Sequence, residues 1–278
     1  MNVIGIHVNR EKDREGTICR DIALKIRRAY PAAEIRVFFD NEIQDTSLDD
    51  MDILFVLGGD GTLLAAARRL HGRNIPLLGI NIGTLGFLTS VEVNEVDKAL
   101  ELLQSGGYVI EERNMLMTRF ETSRTMETFI ALNDVVVTKG TNGRMMKYEI
   151  FIDGNYATSF RGDGVIFSTP TGSTAYNLSA GGPILYPTLN AISMTAISPH
   201  TLGVRNLIIG GQAKIQVRVE GDLSSFQLSV DGQQNFNVGI EKTVEITDSG
   251  FKTRIIRLNG YDYFDVLRKK IVYKAQDI

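Results

Sequence analysis

The chain is 278 residues long, 43% hydrophobic and 23% charged, the balance of a soluble globular protein with room for two cores. Its formal net charge of −3 comes without a concentrated basic run, which argues against a nucleic-acid partner, and no apolar stretch approaches the roughly 18 residues of a membrane span. A single cysteine, Cys19, excludes an internal disulfide, and the dispersed His7, His71 and His200 offer no zinc-ligand spacing.

Met1 to Gly5 enters a strand-like run directly, with no basic and apolar leader, which predicts a cytoplasmic protein. Asn2 to Val8 reads as a strand, Gly16 to Tyr30 as an amphipathic helix that holds Cys19 as a reduced thiol, and Glu34 to Phe39 and Asp52 to Leu57 as two more strands. Gly58-Gly59-Asp60-Gly61-Thr62 then joins the third strand to a helix over Thr62 to His71. Glycines let backbone N–H groups converge and a helix start adds partial positive charge, so this turn suits phosphate. A carboxylate there repels phosphate and needs another purpose. Asp60 either accepts a proton, orients a magnesium ion, or simply caps the helix.

Leu77 to Asn81 gives a fourth strand, a second glycine loop follows at Gly83-Thr84-Leu85-Gly86-Phe87, and Val93 to Leu103 returns to helix. Residues 1–106 therefore read as an α/β domain with a mostly parallel sheet, whose ligands belong beyond the strand C-termini where both loops lie. From 107 the texture becomes β-rich to about 258: Tyr108 to Phe120, Thr128 to Thr138, Lys147 to Ile152, Val165 to Ser168, Ala213 to Val219, Gln227 to Val230, Thr243 to Ile246 and Lys252 to Leu258. Asp153-Gly154-Asn155-Tyr156 marks a hairpin turn. The segment 259–278 carries an apolar stretch, Tyr261 to Tyr273, expected to pack back on the first domain.

Three further clusters accompany the first loop: Asn133-Asp134, Arg161-Gly162-Asp163-Gly164, and the hydroxyl-rich run from Ser168 through Thr174, Ala175, Tyr176, Asn177, Leu178 and Ser179 to Gly182. Each alone is ordinary turn chemistry. In this order, ending on Val230-Asp231-Gly232-Gln233, they resemble the bacterial NAD kinases, which phosphorylate the adenosine ribose 2′-hydroxyl of NAD. The resemblance covers nearly the whole chain. It implies an α/β domain followed by a β-sandwich-like domain, NAD in the cleft between them, ATP or polyphosphate as donor, a divalent cation such as Mg²⁺ with no protein ligands assigned to it, and a homodimer or homotetramer with shared sites.

By the same resemblance Asp60 matches the proton acceptor and Gly61 the glycine beside it. Asn133 and Asp134 match the pair that grips the adenosine ribose, although the family more often has Asn-Glu there. Asp163 matches a carboxylate near the nicotinamide, and Thr174, Ala175, Tyr176 and Ser179, with Asn177 and Leu178 among them, match the adenine-contacting stretch. Phe87, Arg144, Arg161, Ser198 and Gln233 match further contacts. From the residues themselves, there is no Gly-x-x-x-x-Gly-Lys-Ser/Thr element, so no P-loop lysine holds the donor, and Leu64 breaks the Gly-x-Gly-x-x-Gly of redox dinucleotide sites. A lipid or sugar kinase sharing the Gly-Gly-Asp-Gly loop and a non-catalytic NAD sensor are the alternative readings.

Overall fold

Strands apolar at every position alternate with amphipathic helices at the start of the chain, and both faces of such strands must be covered. A computed structural model describes residues 1–40, 48, 50–83, 86–121, 125–139, 144–200, 203–221 and 224–272. Thr84 and Leu85 of the second glycine loop and Tyr273 of the expected tail lie outside them. Contacts divide the chain into Met1–Glu112 together with the chain from Thr253 onward, and Arg113–Lys252.

The first unit contains β1 (Val3–Val8), α1 (Thr17–Ala29), β2 (Glu34–Phe39), β3 (Ile53–Gly58), α2 (Asp60–Arg69), β4 (Leu77–Asn81), β5 (Val91–Glu92) and α3 (Val96–Gln104). β1, β3 and β4 are buried throughout and pair in parallel in the order β4-β3-β1-β2. Ile22 and Ile26 of α1 and Ala99, Leu100 and Leu103 of α3 cover this sheet, and Cys19 is a buried free thiol whose pKa burial raises. The carboxylate of buried Asp13 accepts from the amides of Ile18 (3.2 Å) and Cys19 (2.8 Å), which satisfies the exposed start of α1. His7 is buried with Nε2 2.9 Å from the Asp40 carbonyl, and burial lowers its pKa, as suits a structural histidine.

The rest of the chain is β6 (Tyr108–Glu121), β7 (Met126–Ala131), β8 (Asp134–Thr138), β9 (Met146–Ile152), β10 (Asn155–Gly162), β11 (Gly164–Ser168), α4 (Tyr176–Ser179), β12 (Ala191–Ile197), β13 (Leu207–Gly210), β14 (Ile215–Glu220), β15 (Ser225–Val230), β16 (Gln234–Gly239), β17 (Val244–Leu258) and α5 (Tyr263–Leu267). In the second unit an antiparallel sheet β13-β12-β11-β8-β15-β16 faces a layer built on β10-β9-β14, and Val135, Phe167 and Leu228 from one meet Tyr148, Ile150 and Val217 from the other. This is a β-sandwich. Asp153 (φ 51) and Gly154 (φ 79) form the expected two-residue turn, with Ile152 opposite Asn155.

Several boundaries differ from the sequence reading. β6 and β17 each begin in one unit and end in the other, so the divisions fall inside continuous strands where composition does not change. Lys252 to Leu258 and Thr243 to Ile246 are parts of one strand, β17. The run Thr128 to Thr138 is two strands, β7 and β8, broken at Leu132-Asn133 by a carboxylate described below. β10, β12, β13 and β16 lacked a strand signal; β10 and β16 are rich in polar residues, with Ser159 and Asn237 in mid-strand.

Candidate active site

Neighbouring β1 and β3 deliver two loops at their C-terminal ends. The chain leaves β1 toward β2 and leaves β3 toward β4, so strand order reverses here, which is where open α/β sheets bind ligands. A Cβ on Gly58 would lie 2.2 Å from Thr62 Oγ1, so glycine lets the first turn of α2 close against the strand. Gly59 has extended backbone (φ −125) that any residue adopts. Glycine there supplies room, since a Cβ would lie 2.8 Å from Nζ of Lys12. A Cβ on Gly83, in the second glycine loop, would lie 3.9 Å from the same Nζ.

Lys12 thus holds its ammonium over both glycine loops, and among the described residues it has no acceptor there. Asn9 fixes the turn that carries it. Its side-chain oxygen accepts from the amides of Glu11 (3.0 Å) and Lys12 (3.2 Å), and its Nδ2 donates to Thr62 Oγ1 (3.3 Å) in α2. Sequence reasoning sought a lysine inside a glycine motif and missed one supplied by the adjacent strand's loop. The available signal was the polar run Asn9-Arg10-Glu11-Lys12-Asp13 directly after a fully apolar strand.

Asp60 opens α2, two residues earlier than the sequence suggests, and is half-buried. Its Oδ2 accepts from the amide of Phe87 (2.7 Å), and its Oδ1 accepts from the amides of Leu88 (3.0 Å) and Thr89 (3.2 Å) and from Thr89 Oγ1 (3.4 Å). A Cβ on Gly86 would lie 1.8 Å from Oδ1, so the carboxylate rests against bare backbone. The sequence reading assigned Asp60 one task, but the side chain also organises the second glycine loop. Oδ2 carries one of these bonds and keeps a second acceptor direction. Gly61 is exposed in the first turn of α2, and Phe87 is half-buried.

In the second unit Asn133, Asp134, Ala175 and Tyr176 border one cavity of about 480 Å³. Its size lies in the range of small-molecule sites. Thr138 and Ser229, which sequence reasoning left out, also line it, as does Asp231, which it named only within the Val230-Asp231-Gly232-Gln233 motif. Asp231 (φ 52) and Gly232 (φ 64) turn the hairpin between β15 and β16. From there the Asp231 carboxylate accepts from the amides of Leu132 (3.2 Å), Asn133 (2.7 Å) and Asp134 (3.2 Å), which breaks the strand run at this point. The carbonyls on the same stretch bond the hydroxyl-rich segment: Thr169 Oγ1 donates to Leu132 O (2.6 Å) and Thr169 N to Asn133 O (2.8 Å). A Cβ on Gly172 would lie 2.2 Å from Asn133 O, so only glycine permits this approach.

Asp134 is 4% exposed, and burial, reinforced by the negative charge of Asp231, pushes its pKa from 3.8 up to about 7. The folded chain therefore holds this proton more tightly than the unfolded chain. The stabilisation is complete below pH 3.8 and is lost as pH rises through about 7. Asp134→Asn is accordingly expected to raise Tm by several degrees more at pH 8 than at pH 4, roughly the effect of one or two kcal/mol. Calorimetric or fluorescence melts at both pH values check this, and equal shifts would contradict it.

The remaining residues are more dispersed. Asn177 was expected to touch nucleotide, but its side chain is fully buried and fully engaged: Nδ2 donates to Ser173 O (3.1 Å) and Pro183 O (3.0 Å), and Oδ1 accepts from Ser193 Oγ (3.2 Å) and Thr195 Oγ1 (2.7 Å). All four of its bonding positions are filled inside the protein, so a nucleotide contact at Asn177 would fall to its backbone. Leu178 and Thr174 are half-buried and Ser179 is exposed, and none of the three borders the cavity. Asp163 pairs with Lys139 at 2.9 Å. Arg144, Arg161, Ser198 (φ 45) and Gln233 are exposed, and Arg161 O accepts from the His200 amide (2.8 Å).

A carboxylate on a glycine loop beneath an ammonium, at the switch point of a parallel sheet, describes a phosphoryl-transfer protein of the small-molecule kinase class. Residues 5–108 match the family described as ATP-NAD kinase N-terminal domain, and residues 132–258 match ATP-NAD kinase C-terminal domain. The chain belongs to the ATP-NAD kinase family. It is 42% identical over 278 residues to an NAD kinase of Clostridium beijerinckii, covering 100% of this chain and 98% of that one. It is 41% identical to an NAD kinase of Clostridium botulinum, covering 100% and 99%. Among solved structures, an Archaeoglobus fulgidus NAD kinase in complex with ATP matches with TM-score 0.73 at 25% identity over 99% of both chains. A yeast NADH kinase complexed with NADH matches in fold with TM-score 0.83 at 24% identity, over 98% of this chain and 88% of that one.

Proposed function

We propose that this protein transfers the terminal phosphoryl group of ATP to the adenosine ribose 2′-hydroxyl of NAD, giving NADP, with Asp60 as proton acceptor. The observation that carries the reading is the Asp60 carboxylate, tied down through Oδ1 and left with an acceptor direction on Oδ2. A ribose hydroxyl is a poor nucleophile at neutral pH. Its oxygen attacks the γ-phosphorus as Oδ2 takes the proton, the bond from phosphorus to the bridging oxygen breaks, and ADP leaves with that electron pair. Family membership and the relatives' names support NAD as acceptor. Asn133, Asp134, Ala175 and Tyr176, around the cavity, are the residues assigned to the adenosine end.

Lys12 and the amides at the start of α2 disperse charge on the donor phosphates, the main catalytic service in phosphoryl transfer. Lys12→Ala is expected to raise KM for ATP about tenfold and to leave KM for NAD within about twofold. Initial rates with each substrate varied check this, and an unchanged KM for ATP would remove Lys12 from the donor site. Because Lys12 reads phosphate and not base, inorganic polyphosphate fits as a second donor.

Among the described residues no three His, Cys, Asp or Glu side chains converge into a cation cage. Mg²⁺ or another divalent cation is the proposed cofactor; carried on the donor phosphates, it would neutralise charge on the transferring group. A cytoplasmic location is part of the proposal; among the described residues no helix is long and apolar enough to cross a membrane. A homo-oligomer, dimer or tetramer, in which a second copy completes the site is the proposed assembly. β13 supports it: this edge strand leaves Leu207 37% and Ile208 59% exposed, a surface that a second copy can cover.

Incubation with NAD, a panel of other acceptors, ATP or polyphosphate, and Mg²⁺, followed by product identification beside a size measurement, tests the reading. NADP as the product is the expected result. Measurable NAD binding with no product would favour a sensor, and phosphorylation of a lipid or sugar in place of NAD would favour the other kinase reading.

A further inference from the structure

Arg257, near the end of β17, is 2% exposed and is among the largest fully buried side chains of the described residues. Its Nε donates to Glu111 Oε2 (3.1 Å), and its guanidinium carbon lies 4.3 Å from the centre of the Tyr261 ring. Its two terminal nitrogens reach past that ion pair to main chain: Nη1 donates to Leu88 O (3.0 Å) and Nη2 to Phe87 O (3.3 Å). Burying an arginine beside one carboxylate is seldom a net gain in stability, because desolvation offsets the attraction. The contacts themselves say what the cation is placed to do.

The carbonyl of Phe87 shares a peptide unit with the amide of Leu88, and the carbonyl of Leu88 shares one with the amide of Thr89. Those two amides are the ones that donate to Oδ1 of Asp60. The N–H and C=O of a trans peptide point in opposite directions, so Arg257 and Asp60 hold opposite edges of the same two peptide units. A cation on each carbonyl polarises its peptide and strengthens the hydrogen bond that the amide makes on the other side. Oδ2 instead accepts from the Phe87 amide, whose carbonyl partner belongs to Gly86 and is not among the groups Arg257 contacts.

We infer that Arg257 is a positioning residue for the phosphoryl transfer: acting through the Phe87–Leu88 and Leu88–Thr89 peptide units, it pins Oδ1 of Asp60 and leaves Oδ2 as the oxygen that takes the acceptor's proton. This rests on the reading of Asp60 as proton acceptor. Arg257 touches no reacting atom itself. Its effect belongs in turnover, because it sets the orientation of the base, and not in the affinity for either substrate.

The test measures NADP formation by the full chain and by Arg257→Lys, Arg257→Met, Asp60→Asn and the two doubles that combine Asp60→Asn with each Arg257 variant. Lysine keeps the charge but lacks the two-pronged fork, and methionine removes both. Arg257→Lys is expected to lower kcat about tenfold and Arg257→Met more, with KM for NAD and ATP within about threefold. On the Asp60→Asn background the same changes should lower the residual kcat by less than about twofold, since no carboxylate remains to be oriented. Hydrogen exchange at the amides of Leu88 and Thr89 should quicken in Arg257→Lys. Wild-type kcat in both Arg257 variants, or the same fold loss with and without the Asp60 carboxylate, would overturn the inference. If Arg257→Met does not fold, Arg257→Lys and its double carry the same comparison. Asp60→Asn turning over at the wild-type rate would remove the proton-acceptor reading; slow Asp60→Asn beside fully active Arg257 variants would remove the positioning role alone.

Discussion

Asp60→Asn is expected to lower kcat for NADP formation by about two to four orders of magnitude, the usual contribution of a positioned general base. The amide keeps one acceptor oxygen but replaces the other with a donor. It must therefore either turn its NH₂ toward the Phe87 amide or release the Leu88 and Thr89 amides. Either change loosens the second glycine loop, so a fall in Tm of a few degrees should accompany the loss of rate, roughly one unmade buried hydrogen bond. NAD affinity, measured by calorimetry without donor, should change by less than about threefold, because the missing interaction is one that strengthens as the hydroxyl loses its proton. Turnover at the wild-type rate would exclude Asp60 as the base. A rate loss matched by an equal loss of NAD binding would make the residue a binding contact only.

Legibility in the sequence depended on whether a feature was local. Glycines before a helix, alternating strands and the Asp153-Gly154 turn are set by neighbours a few residues away, and these read correctly. The parallel order of the first sheet followed from apolar strands separated by helices. The features that escaped are encounters between distant residues. Lys12 meets Gly59 only because β1 and β3 are neighbours, Asp231 meets Leu132 to Asp134 only because β15 pairs with β8, and Arg257 meets Phe87 and Leu88 from the far end of the chain.

The same distinction explains Asn177. Its place in a hydroxyl-rich run resembling nucleotide contacts made it a ligand candidate, yet the four groups that fill its side chain come from Ser173, Pro183 and the later strand β12. Residue type indicated that this side chain must find polar partners, but only the fold decides whether those partners are a ligand or the protein. Asp60 illustrates the intermediate case. Its position on the loop was local and legible, whereas the amides it holds come from a loop 27 residues further along the chain.

The Asp231 carboxylate provides the second large expected effect. Its removal leaves the amides of Leu132, Asn133 and Asp134 without this acceptor, and each buried unsatisfied group costs about 1–3 kcal/mol. Asn133 is half-buried and recovers part of its share from water, so Asp231→Ala should cost roughly 3–5 kcal/mol overall. The loss should be smaller in Asp231→Asn, which retains one acceptor oxygen. Asp231 also raises the pKa of Asp134 through its charge, although burial is the larger cause. Both substitutions should therefore lower the pH at which Asp134 ionises without returning it to 3.8. Carbon-13 NMR of the Asp134 carboxyl across pH 4 to 9 would follow that change, and thermal melts would follow the stability. Asp231→Ala melting with the wild-type protein would mean that water replaces the carboxylate at all three amides, and the break between β7 and β8 would then need another cause.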